Sequence, residues 1–218
     1  MHRLLFEKTG RAVWISHLDL MRLFQRAFKR AGLKLTHTHG FNPRPSVSIA
    51  LPLSVGVDSC CELLDFELEE PIDCELLPGL LNEKLIAGVR VLKAYNGGSK
   101  IRDLAYLQCK VLLQYDDGVP ARALEAVKEL FASENLIVAK KTKNGIQDQD
   151  LIPMIRSISA SKEGDKTVVI DAVVCCQNPT LNPAQLIKAI EQYIPQYAPN
   201  CSTCSRIEIF DKNNDIFR

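Results

Sequence analysis

His17 is the residue of this chain whose type and spacing best suit proton transfer. It follows Ser16, a strong helix N-cap, and Asp19 stands three positions after the cap, where an acid reaches back in a variant of the capping box. A helix start carries free N–H groups and the positive end of the helix dipole, a setting that favours a neutral imidazole and a bound anion. There His17 could serve as general acid or base on a phosphate held by Arg44 or Lys8, the chemistry of metal-independent RNA cleavage. The same imidazole could instead pack at the helix start and bond to backbone, and Asp19 could simply cap. No second catalytic partner stands out, so cleavage is the alternative reading.

Two elements must position these groups. A helix opening at Ser16 and running to about Ala31, with Gly32 as its stop, gathers Leu20, Met21, Phe24, Ala27, Phe28 and Ala31 on one side. Arg22, Arg26, Lys29 and Arg30 fall on the other, a basic face suited either to solvent or to a polyanion. The loop GFNPRP follows. Pro43 and Pro45 fix φ and press Asn42 and Arg44 toward extended backbone, and Gly40 allows a sharp entry. Such a loop presents Arg44 for bidentate phosphate contact at little ordering cost, or is a rigid structural turn. Phe41 could stack on a base, although an anchoring contact with the core is the reading favoured here.

Charge is distributed unevenly. Residues 1–50 carry nine basic side chains against Glu7 and Asp19, a balance of +7, and residues 51–90 carry nine acids against Lys84 and Arg90, a balance of −7. The whole chain is +1, which conceals this dipole. A field of that kind bears on partners and encounter rates rather than on fold.

The chain has 218 residues, 46% of them hydrophobic, enough for one large or two small globular domains. No apolar run approaches the ~20 residues of a membrane span, and MHRLLFEKTG lacks the apolar stretch of a secretory signal. The expectation is a cytoplasmic protein without membrane contact, whose eight cysteines stay reduced. The pairs Cys60, Cys61 and Cys175, Cys176 sit in strand-like runs and point to opposite faces, which makes poor chelates. CSTC, from Cys201 to Cys204, has the spacing of a thiolate pair, but lacks a second pair of ligands nearby, so no metal and no cofactor are expected.

Periodicity gives strands at Arg3–Lys8, Val13–Ile15, Leu33–His37, Ser46–Leu53 and CELLDFELEE, a helix from Asp73 to Ile86, and a strand from Val89 to Tyr95. After the linker-like NGGSK, the order begins again. Strands are expected at Leu104–Tyr115, Leu136–Thr142, Ile152–Ala160, Thr167–Cys175 and Arg206–Phe210, with helices at Pro120–Ser133 and Pro183–Tyr193, the last capped by Asn182. KKTKNG, Lys140 to Gly145, reads as a basic strand end and turn. The fold expected is α+β: tandem ferredoxin-like β-α-β-β-α-β domains with antiparallel sheets, 1–97 and 98–218. A single larger α+β sheet is the rival.

The segments FEKTG, ISHLDLMRLFQRAFKRAG and GFNPRPSVSIALPLSVGVDS resemble the N-terminal signature of the radical SAM-linked bacterial proteins, densely from Phe6 to Gly56 and more loosely from Thr142 to Ile155. The family's recurrent positions fall on Lys8, Gly10, Ser16, His17, Asp19, Arg26, Arg30, Gly40, Phe41, Asn42, Pro43, Pro45, Pro52 and Gly56. The resemblance implies an accessory protein encoded beside, or fused to, a cobalamin-binding radical SAM enzyme. The chain has no CxxxCxxC triplet of the kind that holds the radical SAM cluster, and no Walker loop, GxGxxG turn or HExxH helix.

The leading expectation is therefore a non-catalytic accessory module that binds structured RNA, tRNA or rRNA, for a radical SAM partner. Its RNA-binding residues would be Lys8, Arg22, Arg26, Lys29, Arg30, Asn42 and Arg44, framed by Ser16, His17, Asp19, Gly40, Phe41, Pro43 and Pro45. The alternatives are endoribonuclease action through His17, and a protein-only scaffold that uses the acidic 58–75 segment.

Overall fold

A computed structural model describes residues 1–142 and 145–218. The chain divides into two units, Met1–Asp103 with Phe217–Arg218, and Leu104–Ile216. The change of unit thus comes a few residues beyond the linker-like NGGSK, and the last two residues return to the first unit. Both are mixed α+β with antiparallel sheets. Among the described residues no helix is long and apolar enough to cross a membrane.

The first unit contains β1 (His2–Lys8), α1 (His17–Arg30), β2 (Val47–Ile49), β3 (Asp58–Phe66), α2 (Leu77–Asn82) and β4 (Val89–Asn96). Its strands lie in the order β4-β1-β3-β2, all antiparallel. The apolar stripe of α1, Leu20, Phe24, Ala27 and Phe28, is buried over Leu4 and Phe6 of β1, Leu64 and Phe66 of β3, and Val89 and Val91 of β4. Rings interlock at 4.8 Å between Phe6 and Phe24, edge to face, and at 4.8 Å between Phe28 and Phe66. Each buried phenylalanine contributes roughly 1.5–3 kcal/mol, and an aromatic pair about 0.5–1.5 more.

Several expected elements take another form. Leu33–His37 is no strand but makes isolated bridges, Leu35 with Leu68 and His37 with Pro45. Val13–Ile15 belongs to the end of a 3-10 turn, Gly10–Trp14. The helix expected over 73–86 shrinks to a 3-10 turn, Cys74–Leu76, followed by the six residues of α2, because Pro78 suits a helix start rather than its interior.

The second unit contains β5 (Leu104–Gln114), α3 (Ala123–Phe131), β6 (Ile137–Thr142), β7 (Gly145–Asp150), β8 (Ile155–Glu163), β9 (Thr167–Cys175), α4 (Ala184–Tyr193) and β10 (Cys201–Asp211). Its main sheet has the order β10-β5-β9-β8, and β6 pairs with β7 in a separate ribbon. GIQDQD, which forms β7, has no apolar alternation, and its residues are largely exposed. Pro183, expected as the first helical residue, takes the cap position of α4, and Asn182, the expected cap, stands one residue before it, where its side-chain oxygen accepts from the Ala184 N–H at 3.1 Å.

β10 begins five residues before the expected strand and absorbs CSTC. Cys201 is exposed and Cys204 buried, so the two sulfurs do not face one side as a chelate requires. Hydrogen bonding with Cys204, and then burial, push the Cys109 thiol above its ordinary value, and burial pushes Cys176 up to about 12. These are inert interior thiols.

Candidate nucleic-acid interface

The N-terminal end of α1 is anchored as its sequence suggests. Ser16 Oγ accepts the Asp19 N–H at 3.2 Å and donates to Asp19 Oδ2 at 2.7 Å. Arg22 donates to Asp19 Oδ1 at 3.0 Å. The Ser16 hydroxyl, and then Arg22, hold the Asp19 carboxyl below the usual aspartate range. Arg22 therefore shares its charge with an acid on the same helix face. His17 is half-buried in the first turn.

Lys8, expected among the phosphate-binding cations, is 1% exposed, and this corrects its expected place on the basic surface. Its Nζ donates to the Val13 carbonyl at 3.0 Å, and the same oxygen accepts the Gly56 N–H at 2.9 Å. Burial lowers the Lys8 pKa, while the buried Glu62 opposes the shift. Lys8 ties the 3-10 turn before α1 to β1 and to the turn at Gly56. Arg30 donates to the Lys84 carbonyl, linking the end of α1 to the segment after α2.

The C-terminal end of α1 is more open. Gly32 takes φ +75°, its N–H bonds to the Lys29 carbonyl at 3.2 Å, and Leu33 N–H reaches the Phe28 carbonyl at 3.0 Å. This is a Schellman turn, which needs a left-handed residue after the cap. It carries Leu33 and Lys34 back toward the helix.

From there Thr36 N–H bonds to Glu67 O at 3.0 Å and Glu69 N–H to Lys34 O at 2.9 Å, so the segment after β3 runs alongside. Ser46 N–H bonds to Thr36 O and Thr38 N–H to Arg44 O, each at 2.8 Å, and Arg44 N–H bonds to Thr38 Oγ1 at 3.0 Å. GFNPRP is thus the tip of a small closed loop. Gly40 there has φ +133°, a value that L side chains rarely adopt. Asn42, Pro43 and Arg44 are exposed, Pro45 is half-buried, and Phe41 is wholly exposed. The expected core anchor at Phe41 is therefore overturned: no packing holds it, and its ring is free for contact with a partner.

These pieces enclose a groove of about 640 Å³ lined by Gln25, Arg26, Lys29, Gly32, Leu33, Lys34, Leu35, His37, Pro45 and Glu69. Of the expected RNA-binding residues, Arg26 and Lys29 line it, and Pro45 joins them from the framing set. Arg22, Arg30, Asn42 and Arg44 do not. Lys34, His37 and Glu69 belong to the groove without having been expected there. Lys34 stands 4.0 Å from Glu70 in a loose, solvent-exposed pair. Arg26 and Lys29 make no salt bridge among the described residues. At 1.5 Å per residue, His17 lies about 14 Å along the helix from Arg26, so the imidazole and the groove cations are at opposite ends of α1.

Of the basic run Lys140 to Gly145, Lys143 and Asn144 lie outside the described residues. Lys140 donates to the Thr180 carbonyl at 3.0 Å within the second unit.

Among solved structures, one chain of a Cbf5-Nop10-Gar1 complex is similar to this one, with TM-score 0.51 and 8% identity over 95% of this chain and 48% of that chain. At such identity the likeness concerns fold alone, and it is consistent with an α+β chain that spans about half the length of its neighbour. An unknown protein from Galdieria sulphuraria is 11% identical over 94% of this chain and 96% of that one, with TM-score 0.27. Curated proteins include no match to the sequence. The model of a bacterial family described as "Uncharacterized protein conserved in bacteria (DUF2344)" matches residues 2–183, and to that family this chain belongs.

Proposed function

We propose that the protein is a non-catalytic RNA-binding module that holds structured RNA, such as tRNA or rRNA, against the groove beside α1. The observation that carries this reading is the groove itself. Arg26, Lys29 and Lys34 line it over an apolar floor, and the neighbouring loop tip exposes Arg44 and the whole ring of Phe41. Arg26 and Lys29, which make no salt bridge among the described residues, and Lys34, only loosely paired with Glu70, offer phosphate contacts, and an exposed aromatic face offers stacking, the two terms that dominate binding to unpaired RNA. The separation of His17 from those cations favours holding RNA over cutting it.

The resemblance of residues Phe6 to Gly56 to radical SAM-linked proteins supports a further part of the proposal, that the RNA is presented to a cobalamin-binding radical SAM enzyme. Each unit is read here as a ferredoxin-like module. The orders β4-β1-β3-β2 and β10-β5-β9-β8 are traced by the same β-α-β-β-α-β path once the β6–β7 ribbon is taken as an insertion after α3.

Fluorescence anisotropy with labelled tRNA and rRNA fragments at low and physiological salt tests the RNA reading. Binding that weakens steeply with salt, and is lost in Arg26→Glu/Lys29→Glu, is the expected result. Equal affinity of both proteins would sink it. Nuclease-resistant co-purification with the radical SAM enzyme but no RNA binding would favour a protein-only scaffold.

A further inference from the structure

The lining of the groove is chemically uneven. Arg26 and Lys29 supply positive charge from α1, Leu33, Leu35 and Pro45 supply apolar surface, and Glu69 supplies a carboxylate. Among the described lining residues Glu69 alone is acidic, and it makes no ion pair among the described residues. A groove meant only for phosphate would gain nothing from an acid, which repels the backbone it is meant to hold. The Glu69 N–H bonds to Lys34 O at 2.9 Å, which holds its main chain beside the groove, and the residue is exposed. The volume of about 640 Å³ lies inside the roughly 300–1,000 Å³ range of small-molecule sites, large enough for a nucleotide.

A carboxylate offers two adjacent acceptors and no donor. Of the four RNA bases, only guanine presents two adjacent N–H donors, N1–H and the N2 amino group, on its Watson–Crick edge. Cytosine and adenine set an acceptor nitrogen beside their amino group, and uracil flanks its single N–H with carbonyls. Both arrangements would face one carboxylate oxygen with a lone pair. Resting on the RNA-binding reading above, we infer that the groove takes one unpaired guanine nucleotide, its base between the apolar floor and Glu69 and its phosphate on Arg26 and Lys29. The chemistry recognised is that of guanosine monophosphate, whether inside an RNA strand or free.

The test uses the full chain and labelled single-stranded oligoribonucleotides of one length: uridine only, or with one central guanosine, adenosine or cytidine. The guanosine strand is expected to bind on the order of tenfold more tightly than the others. Glu69→Gln replaces one acceptor with a donor and should level that preference, while the affinity for the uridine strand holds or rises as the repulsion of its phosphates is removed. Glu75→Gln, an exposed acid outside the groove, should keep the preference.

Equal binding of all four strands, or a guanine preference that survives Glu69→Gln, overturns the inference. If affinity nevertheless depends on Arg26 and Lys29, the RNA-binding reading stands without it. No binding to any strand overturns the inference, and the RNA-binding reading is then decided by the tRNA and rRNA titration; no binding there either overturns both. Competition by GMP but not UMP at matched concentration assigns a free nucleotide as ligand, and competition only by guanosine-containing strands assigns RNA. Either result upholds the guanine site.

Discussion

Arg3 and Arg26 come from the same basic segment and act in opposite ways. Arg3 is fully buried on β1, with its guanidinium on both Asp65 oxygens at 2.5 and 2.9 Å and Phe217 5.4 Å from its charge centre. Arg26 lines an open groove and makes no salt bridge among the described residues. The first cation was desolvated on folding and is tolerable only with its partner, whereas the second keeps its charge available to an anion. The contrast also revises the charge ledger of the sequence. Arg3 and Lys8 leave the basic surface, and Glu62 and Asp65 leave the acidic one, so the surface dipole is weaker than the segment totals suggest.

The comparison breaks most visibly if the buried pair is split. Arg3→Ala should cost about 3–5 kcal/mol in urea denaturation, because Asp65 is left buried and unpaired, while Arg3→Met with Asp65→Leu should recover much of that loss. A cost below about 1 kcal/mol for the single change would mean that the pair does not anchor the unit. The open cations should behave in reverse. Arg26→Glu/Lys29→Glu is expected to leave stability within about 0.5 kcal/mol, lower RNA affinity on the order of a hundredfold at low salt, and flatten the salt slope by about two.

The far end of α1 sharpens the contrast further. Ser16→Ala removes the cap and should cost about 1 kcal/mol of stability, with RNA affinity unchanged; a parallel loss of binding would extend the interface to the helix start. The smallest effect concerns pH. Asp19 has a depressed folded pKa, so its stabilising contribution is present above the ordinary value of 3.8 and is lost as pH falls through the folded value. An NMR titration should find the Asp19 carboxyl below 3.8 in the native chain and closer to it in Ser16→Ala. An unchanged midpoint would remove the serine hydroxyl as the cause.

Local signals were legible and long-range ones were not. The cap at Ser16, the stripe of α1 and the stop at Gly32 were readable because each depends on neighbours within a few residues. The groove was not, since Glu69 reaches Lys34 only through backbone pairing across a large sequence separation. Lys8 misled because a charge is ordinarily a sign of surface, and its burial becomes tolerable only once Val13 O and Glu62 are brought to it. Phe41 misled in the opposite sense, as an aromatic residue left wholly outside the core. β7 gave no signal because its own residues are largely polar and exposed, while a buried side chain of the ribbon, Val138, comes from β6.

Trp14 is the sole tryptophan of the chain, and it stays 72% exposed even though a Cβ at Gly56 would meet its ring at 3.3 Å. Its fluorescence therefore comes from one known place, beside the start of α1 and away from the residues that line the groove. Emission should resemble that of a hydrated indole in the native protein. A macromolecule settling over the helix start would shift that emission toward the blue, whereas a nucleotide entering at Arg26 would leave its colour nearly unchanged. The protein thus carries a natural optical label that separates occupation of the two ends of a single helix.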